Sequence, residues 1–116
     1  MSYVDGFVIP IPKNKLTTYK KMAKLGAKVW RDHGALDYYE CVGDDLNIRG
    51  IVPFGKLAKV KANETVILSW IVYKSKAHRN RVNKNVMEDP RMHTYPEMPF
   101  NPKRMSFGGF KVLVKG

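Results

Sequence analysis

Thr65-Val66-Ile67-Leu68-Ser69-Trp70-Ile71-Val72-Tyr73 is the stretch that decides the architecture. It is rich in β-branched and aromatic residues and holds no Gly or Pro, so it reads as a strand. Successive strand residues point to opposite faces. Val66, Leu68, Trp70 and Val72 are therefore apolar on one face, and Ile67 and Ile71 on the other. A strand of this kind belongs in the middle of a sheet whose two faces are both covered.

Toward the C-terminus, Ser75 is placed to cap a helix in which His78, Val82 and Val86 share one face while Lys76 and Lys84 point elsewhere. Asp89-Pro90 ends it. A segment with Pro90, Pro96, Pro99 and Pro102 leads to a last strand over Met105 to Val114, in which Gly108-Gly109 predicts a bulge or a close backbone approach. Residues Met92 to Arg104 are long for a connection. With Met98, Phe100 and Met105 as apolar anchors, they are expected to form an ordered arm that covers a cleft or reaches a partner subunit.

Toward the N-terminus, Leu36 to Val42 reads as a strand ended by Gly43-Asp44-Asp45. Leu16, Tyr19, Ala23, Ala27 and Trp30 recur at helical steps, with Lys20, Lys24, Lys28 and Arg31 on another side. Asn14 is the expected N-cap and Gly34 the left-handed terminator. Tyr3 to Ile9 is the first strand, closed by Pro10 and Pro12. The stretch from Asn47 to Ala62 is open between an exposed edge strand or arm and a short helix, since Ala58 and Val60 alternate with Lys59 and Lys61.

The order is β-α-β, an extra segment, then β-α-β. It predicts an α+β, ferredoxin-like fold with a four-stranded antiparallel sheet whose first and third strands are central. All 116 residues are expected to form one domain of this kind. Two helices cover one face only, so the opposite apolar face calls for a second copy of the chain, a homodimer.

Composition narrows the function classes. The sequence begins Met1-Ser2-Tyr3-Val4 and meets an acid and a glycine at Asp5-Gly6, before any apolar run able to serve as a secretion signal, so none is expected. No apolar stretch approaches the roughly 20 residues of a membrane-spanning helix. Cys41 is the only cysteine, which excludes an internal disulfide and points to a reducing, cytoplasmic setting. The formal charge is +11, and residues 71–116 carry most of the excess, with 10 Lys or Arg against 3 Asp or Glu. Such a balance attracts polyanions without specifying one.

Tyr3-Val4-Asp5-Gly6-Phe7, Gly34-Ala35-Leu36, Glu40-Cys41, Ser69-Trp70-Ile71, Asp89-Pro90-Arg91-Met92, Met98-Pro99-Phe100, Lys103-Arg104-Met105 and Gly108-Gly109-Phe110 run through nearly the whole chain. In that order they resemble the YbaA-like family of bacterial proteins, which has no assigned activity. The resemblance implies the dimeric α/β-barrel arrangement, with two ferredoxin-like sheets face to face. Other branches of that fold include haem enzymes, cofactor-free monooxygenases and lactone isomerases. It favours a small-molecule cleft without defining a reaction.

The candidate catalytic residues are Asp5, Glu40 and His78. Asp5 lies in a central strand, where a buried carboxylate is either a general base or half of a structural ion pair. Glu40 shares a strand face with Leu36, Tyr38 and Val42, and would either transfer protons beside the Tyr38 phenol or pair with a basic residue. His78 extends the Val82-Val86 face, with Arg79 and Asn83 alongside, as a cleft lining or a satisfied core histidine. Tyr38, Trp70, Arg79, Asn83 and Arg104 are the further candidates for cleft or binding roles. No metal-ligand spacing links His33, His78 and His93, and no cofactor is expected. The leading expectation is a homodimer that binds a small, partly apolar molecule, with cofactor-independent acid–base chemistry. The alternative is a basic module that meets polyanions or nucleic acid through Lys20, Lys24, Lys28 and Arg31 on the first helix and Lys76, Arg81 and Lys84 on the second.

Overall fold

In a computed structural model describing residues 2–95 and 97–116, β3 (Glu64–Tyr73) lies between β1 (Tyr3–Pro12) and β2 (Asp37–Val42), and β4 (Ser106–Lys111) flanks β1 on its other side. The sheet order is β2-β3-β1-β4 and every pairing is antiparallel. β3, the strand apolar on both faces, is thus central, with β1 beside it as expected. Two long helices, α1 (Leu16–Asp32) and α3 (Lys76–Met87), pack on one face. Met1 and Pro96, the second proline of the C-terminal segment, lie outside the described residues.

Register sorts the side chains. Tyr3, Asp5, Phe7 and Ile9 of β1 stand opposite Tyr73, Ile71, Ser69 and Ile67 of β3, and Tyr38, Glu40 and Val42 of β2 oppose Ile71, Ser69 and Ile67. All of these face the helices. One core cluster joins Tyr3, Ile71 and Tyr73 to Val29 of α1 and to Val82 and Val86 of α3; a second joins Ile9, Ile11 and Ile67 to Tyr19 and Phe100. The outer face carries Val4, Val8, Leu68, Trp70, Val72, Tyr39 and Phe110, with Tyr39 stacked on Trp70 at 5.1 Å.

Several boundaries differ from expectation for identifiable reasons. β1 continues through Pro10 and Pro12. The Lys13 N–H reaches the Asn63 carbonyl of the β3 side, so alternate residues 10 and 12 turn their nitrogens away from β3. Beyond Val8 no β4 residue pairs there, and the missing proline N–H groups leave nothing unsatisfied. α1 is entered through a 3-10 turn over Lys13–Lys15 and not capped by Asn14, whereas Gly34 does adopt the left-handed conformation with φ 108°. The inward stripe of α1 buries Tyr19, Gly26 and Val29 in place of Ala27. The Ser75 hydroxyl accepts from the His78 N–H at 3.1 Å, as an N-cap does.

Within Asn47 to Ala62 the only regular element is the one-turn helix α2 (Phe54–Leu57). Lys59 follows it with φ 54°, which takes Ala58–Lys61 out of any strand. β4 ends at Lys111, short of Val114. Gly108 and Gly109 keep regular register opposite Gly6 and Asp5, so there is no bulge; a Cβ on Gly109 would collide with the Tyr3 hydroxyl and ring. Gly109 serves the close approach, whereas a Cβ on Gly108 would meet only ordinary contacts with Phe110. Among the described residues no helix is long and apolar enough to cross a membrane.

Candidate functional site

Because β2 alternates, Tyr38 and Glu40 both turn toward α1, while Cys41 turns to the outer face. The Tyr19 hydroxyl donates to Glu40 Oε1 at 2.7 Å, and the Tyr38 hydroxyl donates to Oε2 at 2.7 Å. One carboxylate therefore holds two phenols. Burial, reinforced by the neighbouring Glu40 charge, pushes both phenols far above the ordinary tyrosine range, so they remain protonated donors. Gly26 makes this closure feasible: a Cβ there would sit 2.9 Å from the Tyr38 hydroxyl. A glycine inside a helix costs about 1 kcal/mol relative to alanine, and here it buys the approach of Tyr38 to α1.

This triad borders a cavity of about 190 Å³ between the sheet and α1. Phe7, Ile9 and Ile71 line its sheet side with Ser69, and Met22, Ala23, Leu25 and Trp30 its helix side. Met92, Tyr95, Met98, Phe100 and Met105 come from the segment after α3, so the expected arm covers this cleft. An open groove of about 460 Å³ shares Tyr19, Ala23, Tyr38 and Glu40 with the cavity and continues to Leu16, Lys20 and Lys24. The triad thus borders both spaces.

The covering arm is tied down at both ends. Arg91 places Nη2 2.8 Å from Asp89 Oδ2 and Nη1 2.8 Å from Asp32 Oδ2, and His33 Nε2 lies 2.8 Å from Asp89 Oδ2. Hydrogen bonds from Arg91 and then His33 hold the Asp89 carboxyl well below its usual range. At the other end, Arg104 Nη1 donates to Glu64 Oε2 at 2.7 Å, Nη2 donates to Oε1 at 2.9 Å, and Nη2 also reaches the Lys59 carbonyl. This fork, with the Lys61 N–H, lowers Glu64 to about 2.

A second polar cluster lies between the sheet and α3. Asp5 is 1% exposed; its Oδ2 accepts from Asn83 at 3.2 Å, and its Oδ1 lies 3.5 Å from Arg79 Nη1. Asn83 Oδ1 in turn accepts from Trp30 at 3.0 Å and from Tyr73 at 2.9 Å, while Arg79 donates to the Tyr3 hydroxyl and lies over its ring. Asp5 Oδ1 and Arg79 Nε make no hydrogen bond, so the pair is close without being fully satisfied. Three candidates, Asp5, Arg79 and Asn83, meet here, outside the cavity lining.

His78 stands at the first turn of α3, where Nδ1 accepts from the Lys74 N–H at 3.0 Å and the ring meets Tyr73 edge-on. Partial burial and the Lys74 and Arg81 charges lower its pKa. Trp70 is on the outer face and Arg104 on Glu64, so neither lines the cavity. Of the named candidates only Glu40 and Tyr38 do. Tyr19 was legible in sequence only as part of the apolar stripe of the first helix; the register of α1 against β2 makes it a partner of Glu40. Among the described residues no group of three or more His, Cys, Asp or Glu is arranged to hold a metal ion. Apart from Arg79, the lysines and arginines of the two long helices are exposed, with Lys28 and Arg31 near Asp32 and Asp37.

Strand order, antiparallel pairing and the one-sided helices define an α+β protein of the ferredoxin-like class. A NIPSNAP domain protein from Burkholderia xenovorans has a similar fold, with a TM-score of 0.51 at 12% identity over 95% of this chain and 93% of that one. The chain belongs to the family described as "Protein of unknown function (DUF1428)", which matches residues 2–102. It is 41% identical over 115 residues to the "Uncharacterized protein YbaA" of Escherichia coli strain K12, across 98% of both chains. The protein of the same name from Shigella flexneri is equally similar, at 41% over 98% of both chains.

Proposed function

We propose that this protein binds a small, mainly apolar molecule in the cleft between its sheet and α1, with Glu40 as the polar contact and proton acceptor. The observation that carries this reading is one carboxylate, held by two phenols, at the edge of a mainly apolar cavity of about 190 Å³. A dry cavity of about 150 Å³ already admits benzene, so this one is of the size for a single substituted ring. A pocket that is apolar with a few convergent polar groups is the usual form of a small-molecule site. A carboxylate inside it permits acid–base chemistry without a cofactor.

The same reading includes a homodimer formed through the outer sheet face, where Leu68, Tyr39 and Phe110 are exposed in the single chain. It also includes a reducing, cytoplasmic setting, supported by the single Cys41. The polyanion reading has weaker support, because Lys28 and Arg31 on the basic face already meet Asp32 and Asp37.

Toluene titrated onto protein carrying ¹³C-labelled methionine methyl groups tests the cleft. Saturable shifts are expected at Met22 and Met105, with none at Met87, which does not line the cavity. Ala23→Phe, which fills the cavity from α1, is expected to abolish them. Unchanged methyl spectra at millimolar toluene would falsify the reading.

A further inference from the structure

The polar edge of the cleft presents hydrogen-bond acceptors and a negative charge. A carboxylate has about four lone-pair directions, and the Tyr19 and Tyr38 protons occupy one on each oxygen. Both phenol protons are committed to Glu40, which leaves the phenol oxygens with lone pairs only. The walls add the aromatic rings of Phe7, Trp30 and Phe100, whose π-systems carry negative charge density on their faces.

Nearby cations do not cancel that character. Arg91, the basic residue of the cavity lining, is bound to Asp89 and Asp32. Among the described residues Glu40 forms no salt bridge with any Lys, Arg or His. Lys20 and Lys24 border the adjoining groove and are solvent-exposed. The +11 charge of the chain opposes a cation at long range, but salt screens exposed charges beyond about 8 Å at physiological ionic strength.

We infer that the occupant of the cleft is a small amine: a ring-sized apolar body carrying an ammonium group that donates to Glu40 and lies against the aromatic walls. This deepens the small-molecule reading and rests on it. A hydrocarbon would leave the remaining lone pairs of the carboxylate desolvated without a further donor, and a carboxylate ligand would bring a like charge against Glu40. An alcohol supplies the donor without the charge.

The test is titration of the full-length protein with benzylamine, benzyl alcohol, toluene and benzoate at neutral pH, read at the Met22 and Met105 methyl groups. Charge-assisted hydrogen bonding predicts that benzylamine binds at least about tenfold more tightly than toluene, with benzyl alcohol between them and benzoate weakest. Glu40→Gln is expected to remove the advantage of benzylamine over toluene, since shape is kept and charge is lost. Tyr19→Phe keeps the carboxylate and is expected to keep the preference. Equal affinities for benzylamine and toluene, or tighter binding of benzoate through Lys20 and Lys24, overturn the amine inference while leaving the cleft reading in place. Binding of none of the four removes both.

Discussion

Tyr19 on α1 donates its hydroxyl proton to Glu40 on β2 at 2.7 Å, joining residues 21 positions apart. This contact fixes a carboxylate on the border of a mainly apolar cavity. The bond also docks α1 against the strand that follows it.

Tyr19→Phe keeps the ring in the core and deletes that donor. Hydrogen bonds to charged groups contribute about 1.5–3 kcal/mol, and the half-buried Glu40 puts the expected loss near the lower end. Urea denaturation should show a lower midpoint with an unchanged slope. The double variant with Tyr38→Phe should depart from additivity, because both phenols share one acceptor. Strict additivity would show that the two bonds do not form together in solution.

Asp5 and Arg79 form an ion pair in which Asp5 is buried and Arg79 largely so. Removing either partner strands the other charge, at a cost of about 3–5 kcal/mol for a buried pair. Asp5→Ala and Arg79→Ala should each destabilise strongly in denaturant titrations, and the double variant should lose less than the sum of the two. Single losses below about 1 kcal/mol would mean that water compensates the survivor.

Arg104 gives Glu64 a pH signature. Glu64 is lowered from 4.5 to about 2, first by the Arg104 hydrogen bonds and then by the Lys61 N–H. A carboxylate with a depressed folded-state pKa stabilises above its unfolded value and loses that contribution as pH falls through its folded one. The stability difference between wild type and Arg104→Gln should therefore be full above pH 4.5 and shrink toward pH 2. A difference independent of pH across that window would assign the role of Arg104 to packing alone.

The outer face of the sheet predicts the oligomer. Leu68 is 38% exposed at its centre, so Leu68→Glu disturbs little within one chain but places a charge in any interface formed there. Light scattering should give about twice 13.3 kDa for the wild type and the single-chain mass for the variant. A wild-type monomer at all concentrations would sink the homodimer.

The sequence by itself determined what depends on local periodicity. Two-residue alternation in Thr65–Tyr73 identified a central strand, and helical steps from Leu16 to Trp30 and from His78 to Val86 identified the helices. Together they imply the β2-β3-β1-β4 sheet. Glu40 and Tyr38 were legible as neighbours on one face because two-residue spacing puts them there. Asp5 was legible as an acid in need of a partner, though not as a partner of Arg79, which lies 74 positions away.

Tertiary structure alone decided the rest. Whether Tyr19 is core or part of a polar triad depends on how α1 is rotated against β2, and Gly26 allows that rotation by leaving room for Tyr38. His78 shares a helical face with Val82, but the first turn of α3 places it on the Lys74 backbone, away from the cavity. The arm became a cover because Arg91 and Arg104 fix its ends to Asp32, Asp89 and Glu64. Such pairings between distant residues follow from packing in three dimensions, to which local periodicity is blind.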